Sequence, residues 1–220
     1  MRFGGTMMLK IVEGERGEKM KTCILIGGIG SGKSTVSHML LERGAKRVDL
    51  DECGHETLLD PEVISQLADT FGPEILDEHG AIVRSELAAR AFVTQAKTIQ
   101  LNAITQPRLL KVAQAQLDRL EQEGCELAVI EISAYDGPEG TFAPLVRNSV
   151  GVIAVTSPTR VRVQRAVAKG FAEDDVRRRI ARQVSDAQRA LWADYVISNK
   201  GTIDQLEEQV ELVWQDIASK

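Results

Sequence analysis

Hydrophobic residues fall along this chain in short unbroken runs, separated by segments of helical period. Cys23-Ile24-Leu25-Ile26, Leu127-Ala128-Val129-Ile130 and a run from Val150 to Val155 are near-continuous, which predicts strands buried on both faces. Val48 and Leu50, flanking Asp49 and Asp51, predict a second strand ending at Asp51, and Tyr195-Val196-Ile197 predicts a fifth. Between them, Val36, Met39 and Leu40 recur at helical spacing over Lys33 to Glu42, and Gly44 stops that helix. Helices are also expected over Pro61 to Thr70, Ser85 to Phe92 and Leu109 to Gln122, the last with Pro107 just ahead and Gly124 just beyond. Pro158 opens another, Val176 to Val184 is amphipathic and arginine-rich, and Thr202 with Gln205 suits a capping box on a C-terminal helix.

Buried strands alternating with helices predict an α/β fold of three layers, a five-stranded parallel sheet covered on both faces. The stretch 59–122 is too long for one crossover, so an inserted helical subdomain is expected there. Residues 1–20 are polar, glycine-rich and aperiodic. They are expected to form a flexible extension ahead of a single domain over 21–220.

Composition narrows the function classes. Hydrophobic residues are 43% of the 220 but aromatics only 4%, so the core must be aliphatic. A net charge of −5 argues against a general nucleic-acid binder. No apolar run approaches the ~20 residues of a membrane span, and residues 1–20 hold no signal-like apolar stretch. The three cysteines show no CxxC spacing; Cys23 and Cys125 read as buried free thiols, and a cytoplasmic protein is expected. Cys53 and His55 lack the further ligands a metal site needs.

Gly27-Gly28-Ile29-Gly30-Ser31-Gly32-Lys33-Ser34 matches G-x-x-x-x-G-K-[ST] between a predicted strand and a predicted helix. Glycines let backbone N–H groups curl around phosphate oxygens, and the helix N-terminus adds partial positive charge. In that arrangement Lys33 reaches the outer phosphates of ATP and the Ser34 hydroxyl ligates Mg²⁺. Asp49 and Asp51 sit where strand ends face the ligand crevice. There a carboxylate can take a proton from an attacking hydroxyl, or serve only as a solvated strand end or helix N-cap.

Through these and further residues the chain resembles the dephospho-CoA kinase family over roughly Lys21 to Trp214. The phosphate loop through Thr35 and Val36 is similar to that family's opening, and Val48-Asp49-Leu50-Asp51 to its Asp-x-Asp signature. Phe71-Gly72, Gly80, Arg84 and Leu87 follow its order, as does Leu101-Asn102-Ala103-Ile104. So do Gln183 and the run Ala193-Asp194-Tyr195-Val196-Ile197-Ser198-Asn199-Lys200-Gly201.

The resemblance implies a P-loop kinase with a substrate-binding insertion and a helical lid over about 165–185. It implies transfer of the ATP γ-phosphate to the ribose 3′-hydroxyl of dephospho-CoA by a monomer or weak homo-oligomer. Asp51 is then the base, Lys33 and Arg165 neutralise phosphate, and Gly28 to Thr35 cradle ATP, with Asn199 and Gly201 near the adenine. Gln106, Arg108, Glu131 and Asp51 border the acceptor.

Four departures stand out. Gln106 replaces the histidine of a His-Pro pair. Glu131-Ile132-Ser133-Ala134-Tyr135 replaces an Asp-[Val/Ile]-Pro-Leu-Leu segment. Lys169 stands for a second lid arginine, and Ile26 for a threonine. The changes on the acceptor side keep two other readings open, a P-loop kinase for a nucleoside or nucleotide and a nucleotide-binding regulator. Among the remaining arginines, Arg177, Arg178 and Arg179 cannot all point inward from one helix, so most of them are expected at the surface.

Overall fold

The structure, a computed structural model, describes residues 19–220. Nearly all of the extension predicted over 1–20 lies outside these; Met20, its last residue, packs against the core, with its N–H donating to Glu121 Oε1 at 3.3 Å.

Strands β1 (Lys21–Gly27), β2 (Lys46–Asp49), β3 (Leu127–Ile132), β4 (Val152–Thr156) and β5 (Tyr195–Ser198) form one parallel sheet in the order β2-β3-β1-β4-β5. β1 is central, with Ile24 level with Ile130 on one side and Val152 on the other. Side chains alternate along it. Cys23 and Leu25 face a layer made by α1 (Lys33–Glu42) and α10 (Ile203–Ser219), through Val36, Leu40, Leu206 and Val210. Ile24 and Ile26 face the layer of α2 (Leu50–Thr57), α5 (Gln95–Gln122) and α6 (Ala143–Arg147), through Cys53, Val112, Leu117 and Leu145. Burial on both faces is why the strand runs read as unbroken apolar segments.

A second core lies away from the sheet. Helix α3 (Pro61–Phe71), a 3₁₀ turn (Pro73–Ile75) and α4 (Arg84–Ala91) enclose Val63, Leu67, Phe71, Ile75, Leu87 and Ala91. Leu101 and Ile104, from the first half of α5, close it. A third cluster, Val163, Ala166 and Val176, joins α7 (Thr159–Ala168) to α8 (Glu173–Arg182), and α9 (Asp186–Leu191) leads back to β5. The capping box at α10 forms, with Gln205 N–H donating to Thr202 Oγ1 at 3.3 Å and Thr202 N–H to Gln205 Oε1 at 3.2 Å. No helix among the described residues is long and apolar enough to cross a membrane.

The structure corrects the sequence expectations at several elements. Helix α5 runs for 28 residues with Pro107 inside it rather than ahead of it. A mid-helix proline removes one backbone bond and costs about 3 kcal/mol. The helix persists because Leu101 and Ile104, half-buried, pack on one side of the proline and Val112, Ala113 and Leu117 are buried on the other. Strand β2 stops at Asp49, and Asp51 lies in the first turn of α2 instead of on a strand end. The lid helix α8 begins at Glu173, three residues early, because Glu173, Asp174 and Asp175 suit the positive end of a helix. Cys125 is only half-buried, whereas Cys53, not singled out as a core thiol, is fully buried.

Ile130 is 1% exposed at the middle of the sheet, while Leu212 on α10 is 68% exposed. Ile130→Ala is expected to lower the unfolding free energy in urea by about 2–5 kcal/mol. Leu212→Ala should change it by no more than ~0.5 kcal/mol. Equal losses in the two variants would contradict this placement of the core.

Candidate active site

β1 ends at Gly27, and the chain turns through Gly28 to Gly32 into α1. Gly30 and Gly32 take the left-handed region, at φ 73° and 96°. The loop is packed tightly from behind. A Cβ on Gly32 would lie 2.0 Å from Asn199 Nδ2, and one on Gly30 would lie 2.2 Å from the Arg162 carbonyl oxygen. Only glycine satisfies both the backbone angle and the contact. Gly32 is the N-cap and offers no side-chain cap. The N–H groups of Gly30, Gly32, Lys33 and Ser34 have no acceptor among the described residues. They are the orphan donors of a helix start, gathered at one mouth.

Asn199, at the end of β5 and 7% exposed, donates its Nδ2 to Ser31 O at 2.9 Å. Arg165 on α7 grips the same residue, with Nη1 to Asn199 O at 3.1 Å and Nη2 to Asn199 Oδ1 at 3.0 Å. Residues at the carboxyl ends of β1, β2, β3 and β5 line one cleft of about 950 Å³. β1 and β3 are adjacent while their connections leave in different directions, which is where open α/β sheets place ligands.

Opposite the glycine loop the cleft is acidic. The Lys33 ammonium pairs with Glu131 Oε2 at the end of β3. Glu131 is 3% exposed, and its Oε1 is buried with no hydrogen-bond partner among the described residues, with Arg47 Nη1 at 3.8 Å. Asp49 is the N-cap of α2 and accepts from Asp51 N–H at 2.8 Å and Glu52 N–H at 3.4 Å. The cap aims the Asp51 side chain at the cleft, where its carboxylate has no partner among the described residues. Just behind, burial first and then the Glu56 and Asp49 carboxylates push the Cys53 thiol up to about 11, so it stays protonated near neutral pH.

The far wall comes from the α7–α8 hairpin. Lys169, Phe171, Arg179 and Arg182 line it, and Lys169 and Arg182 have no carboxylate partner among the described residues. Arg179 is held by Asp175 at 2.7 Å and lies 5.9 Å from the Phe171 ring centre. Arg177 and Arg178 pair with Glu173 and Asp175 on the exposed face.

Of the residues marked from sequence, Gly28, Ile29, Gly30, Gly32, Lys33, Ser34, Thr35, Asp51, Glu131, Arg165 and Asn199 line this cleft. Ser31 is buried beneath it, its Oγ without a partner among the described residues, and Gly201 sits in the turn before α10. Gln106 and Arg108 lie elsewhere. Gln106 Nε2 donates to Thr141 Oγ1 at 3.1 Å, tying α5 to the loop after β3, and Arg108 pairs with Asp60, the N-cap of α3, at 2.7 Å. In the altered segment after β3, Ser133 reaches the cleft. Tyr135 turns into the core instead, edge-on to Trp192 at 5.8 Å, and burial followed by Asp136 and Asp194 raises its phenol above the usual range.

Sequence reasoning missed Arg47, whose guanidinium reaches Glu52 at 2.6 Å and Asp49 at 3.5 Å on the acidic wall. Its place two residues before Asp49 on an alternating strand was the available signal.

The sequence model of the dephospho-CoA kinase family matches residues 22–205. The dephospho-CoA kinase of Corynebacterium diphtheriae is 38% identical over 91% of this chain and 99% of its own length. That of Aquifex aeolicus is 34% identical over 90% and 98%. Among solved structures, TT1252 from Thermus thermophilus superposes with a TM-score of 0.77 at 26% identity, over 91% of this chain and 99% of that one. The dephospho-CoA kinase of Campylobacter jejuni shares the fold, with a TM-score of 0.59 at 20% identity over 91% and 100%. With a glycine-cradled helix start facing an acidic wall, and a match that spans nearly the whole described chain, the protein belongs to the dephospho-CoA kinase family.

Proposed function

We propose that the chain transfers the γ-phosphoryl group of ATP to the ribose 3′-hydroxyl of dephospho-CoA, giving coenzyme A and ADP. The observation that carries this is the pairing across one cleft of a donor-rich helix start with Asp51, an unpaired carboxylate. The family membership supplies the acceptor.

Phosphoryl transfer asks a protein for positioning and charge neutralisation more than covalent chemistry. The free N–H groups of the loop bind the phosphates, and Lys33, held upright by Glu131, neutralises their outer oxygens. Asp51 accepts the 3′-hydroxyl proton as its oxygen bonds to the γ-phosphorus and the bond to the bridging oxygen of ADP breaks. Lys169, Arg179 and Arg182 cover the phosphates from the lid side, where fixed cations stabilise the transferring group and exclude water.

The donor set also suits Mg²⁺. Ser34 lines the cleft at the start of α1, the buried Glu131 Oε1 lacks a hydrogen-bond partner among the described residues, and those residues contain no group of three or more His, Cys, Asp or Glu placed to hold a metal ion by itself. This fits an ion held mainly by phosphate oxygens and water. When bound, it offsets charge on the β- and γ-phosphates.

Arg165 and Asn199 act through the loop, since their side-chain hydrogen bonds go to Ser31, to Ser157 and to each other. Arg108, paired with Asp60, serves the fold of the insertion before any ligand.

Lys33→Ala is expected to lower kcat/KM by about 10²–10³-fold, the scale of losing one preorganised charge. Unchanged turnover would remove the loop from the mechanism. Asp51→Asn keeps shape and should reduce kcat by about 10²–10⁴-fold with ATP affinity little altered; a loss below about threefold would leave Asp51 as a first-turn helix residue only. For the unaltered protein, kcat/KM on dephospho-CoA should exceed that on adenosine or AMP by at least ~10². Equal or lower efficiency would point to another hydroxyl acceptor, and absence of transfer to any acceptor would point to a nucleotide-binding regulator.

A further inference from the structure

Arg162 is 3% exposed and lies on α7 three residues before Arg165, on the same face and directly beneath the phosphate loop. Its guanidinium holds three segments at once. Nε donates to Ile29 O at 2.9 Å, Nη2 to Gln183 Oε1 at 3.0 Å and Nη1 to Asp186 Oδ1 at 3.2 Å. Gln183 Oε1 also accepts from Ile29 N–H at 3.0 Å. Both backbone polar groups of Ile29 are therefore held by one side-chain unit. Asp186 is shared in turn with Arg189, 2% exposed, at 2.9 Å, and accepts from Ser157 N–H at 3.1 Å. Two buried guanidiniums face one carboxylate, which leaves a surplus of positive charge under the glycines.

A buried, paired arginine is a poor way to gain stability, because desolvation offsets most of the attraction. Its value lies in direction. A guanidinium presents planar donors at fixed angles, and here they fix the orientation of the peptide groups around Ile29. With that orientation set, the N–H groups of Gly30, Gly32, Lys33 and Ser34 stay turned to the mouth of the cleft. Without it, the freed Ile29 carbonyl can rotate toward the phosphates and repel them.

The same unit reaches the lid. Gln183 ends α8, in extended conformation at φ −79° and ψ 153°, with its N–H donating to Arg179 O at 3.1 Å. Asp186 begins α9. Arg179 and Arg182 project from the last turns of α8 into the cleft. A shift of that helix end must drag Gln183 across Ile29 or break their bond.

We propose that Arg162, with Gln183 and Asp186, is a positioning unit that sets the phosphate loop's backbone and couples it to the lid helix α8. This rests on the reading that the loop binds nucleotide phosphates.

The test uses Arg162→Met, Arg162→Lys and Gln183→Leu. It measures ADP binding by calorimetry, thermal unfolding, KM for dephospho-CoA, and the ratio of acceptor-free ATP hydrolysis to phosphoryl transfer. Arg162→Met should weaken ADP by about tenfold or more, the scale of a charge-assisted hydrogen bond. Arg162→Lys, which keeps the charge but cannot grip Ile29 and Gln183 together, should recover only part of that. In Arg162→Lys and Gln183→Leu the hydrolysis ratio should rise while KM for dephospho-CoA stays within about twofold.

Arg162→Lys and Gln183→Leu keep the experiment decisive if Arg162→Met does not fold. ADP affinity and hydrolysis ratio both unchanged in these two would overturn the proposal, as would losses accounted for entirely by the unfolded fraction. If the unaltered protein binds ADP but does not phosphorylate dephospho-CoA, the proposed function fails and this coupling stands. If it does not bind ADP, both fail.

Discussion

Everything at this site depends on how closely the loop Gly28–Gly32 approaches the elements behind it. The backbone of α7 at Arg162 and the side chain of Asn199, just past β5, come so near that no Cβ fits at Gly30 or Gly32. That approach lets Asn199 reach the Ser31 carbonyl directly, and it turns the loop's unpaired N–H groups outward. A loop made only of permissive glycines would be floppy, because glycine loses more conformational entropy on ordering than any other residue. Here a buried polar scaffold opposes that loss. The glycines allow the shape and the residues beneath them select it.

The sheet makes such a scaffold possible. With β1 in the centre, its carboxyl end is flanked by the ends of β3 and β4, so groups far apart in sequence converge without long loops. Glu131 comes from one neighbour, while Ser157, just past the other, accepts from Arg165. The two large apolar layers hold this convergence rigidly, and their nearly complete burial leaves the functional polarity to strand ends and helix starts. The acidic wall is built with the same economy. Asp49 stops a strand, starts a helix and so presents Asp51.

Much of this was legible in the sequence, for identifiable reasons. The inner strands β1, β3 and β4 announced themselves because burial on both faces keeps them largely apolar, and the phosphate loop because its spacing has one dominant physical solution. Helix α2 stayed hidden since Leu50-Asp51-Glu52-Cys53-Gly54 carries too few apolar residues to show a period and includes a glycine. Helix α5 was cut short because local proline chemistry argues for a helix start, and only tertiary burial on both sides overrides it. Arg108 and Gln106 illustrate a different limit. Their spacing carries no sign of the partners they take within the chain, which are Asp60 and Thr141. Arg162 was submerged among many arginines, several of which, Arg177, Arg178 and Arg179, simply pair with nearby acids at the surface. Its distinction, complete burial, is a property of the fold.

Helix α5 has a mechanical consequence. Its second half is fastened to the sheet, its first half belongs to the separate core of the insertion, and Pro107 marks the turn between them. At 1.5 Å per residue the part from Gln95 to Pro107 extends about 19 Å. A change of ~10° in axis at the proline therefore sweeps its tip through ~3 Å, for the disturbance of a turn that already lacks one hydrogen bond. The insertion is carried on a lever arm whose fulcrum coincides with the proline, so a small change at that turn would displace it as a body relative to the sheet.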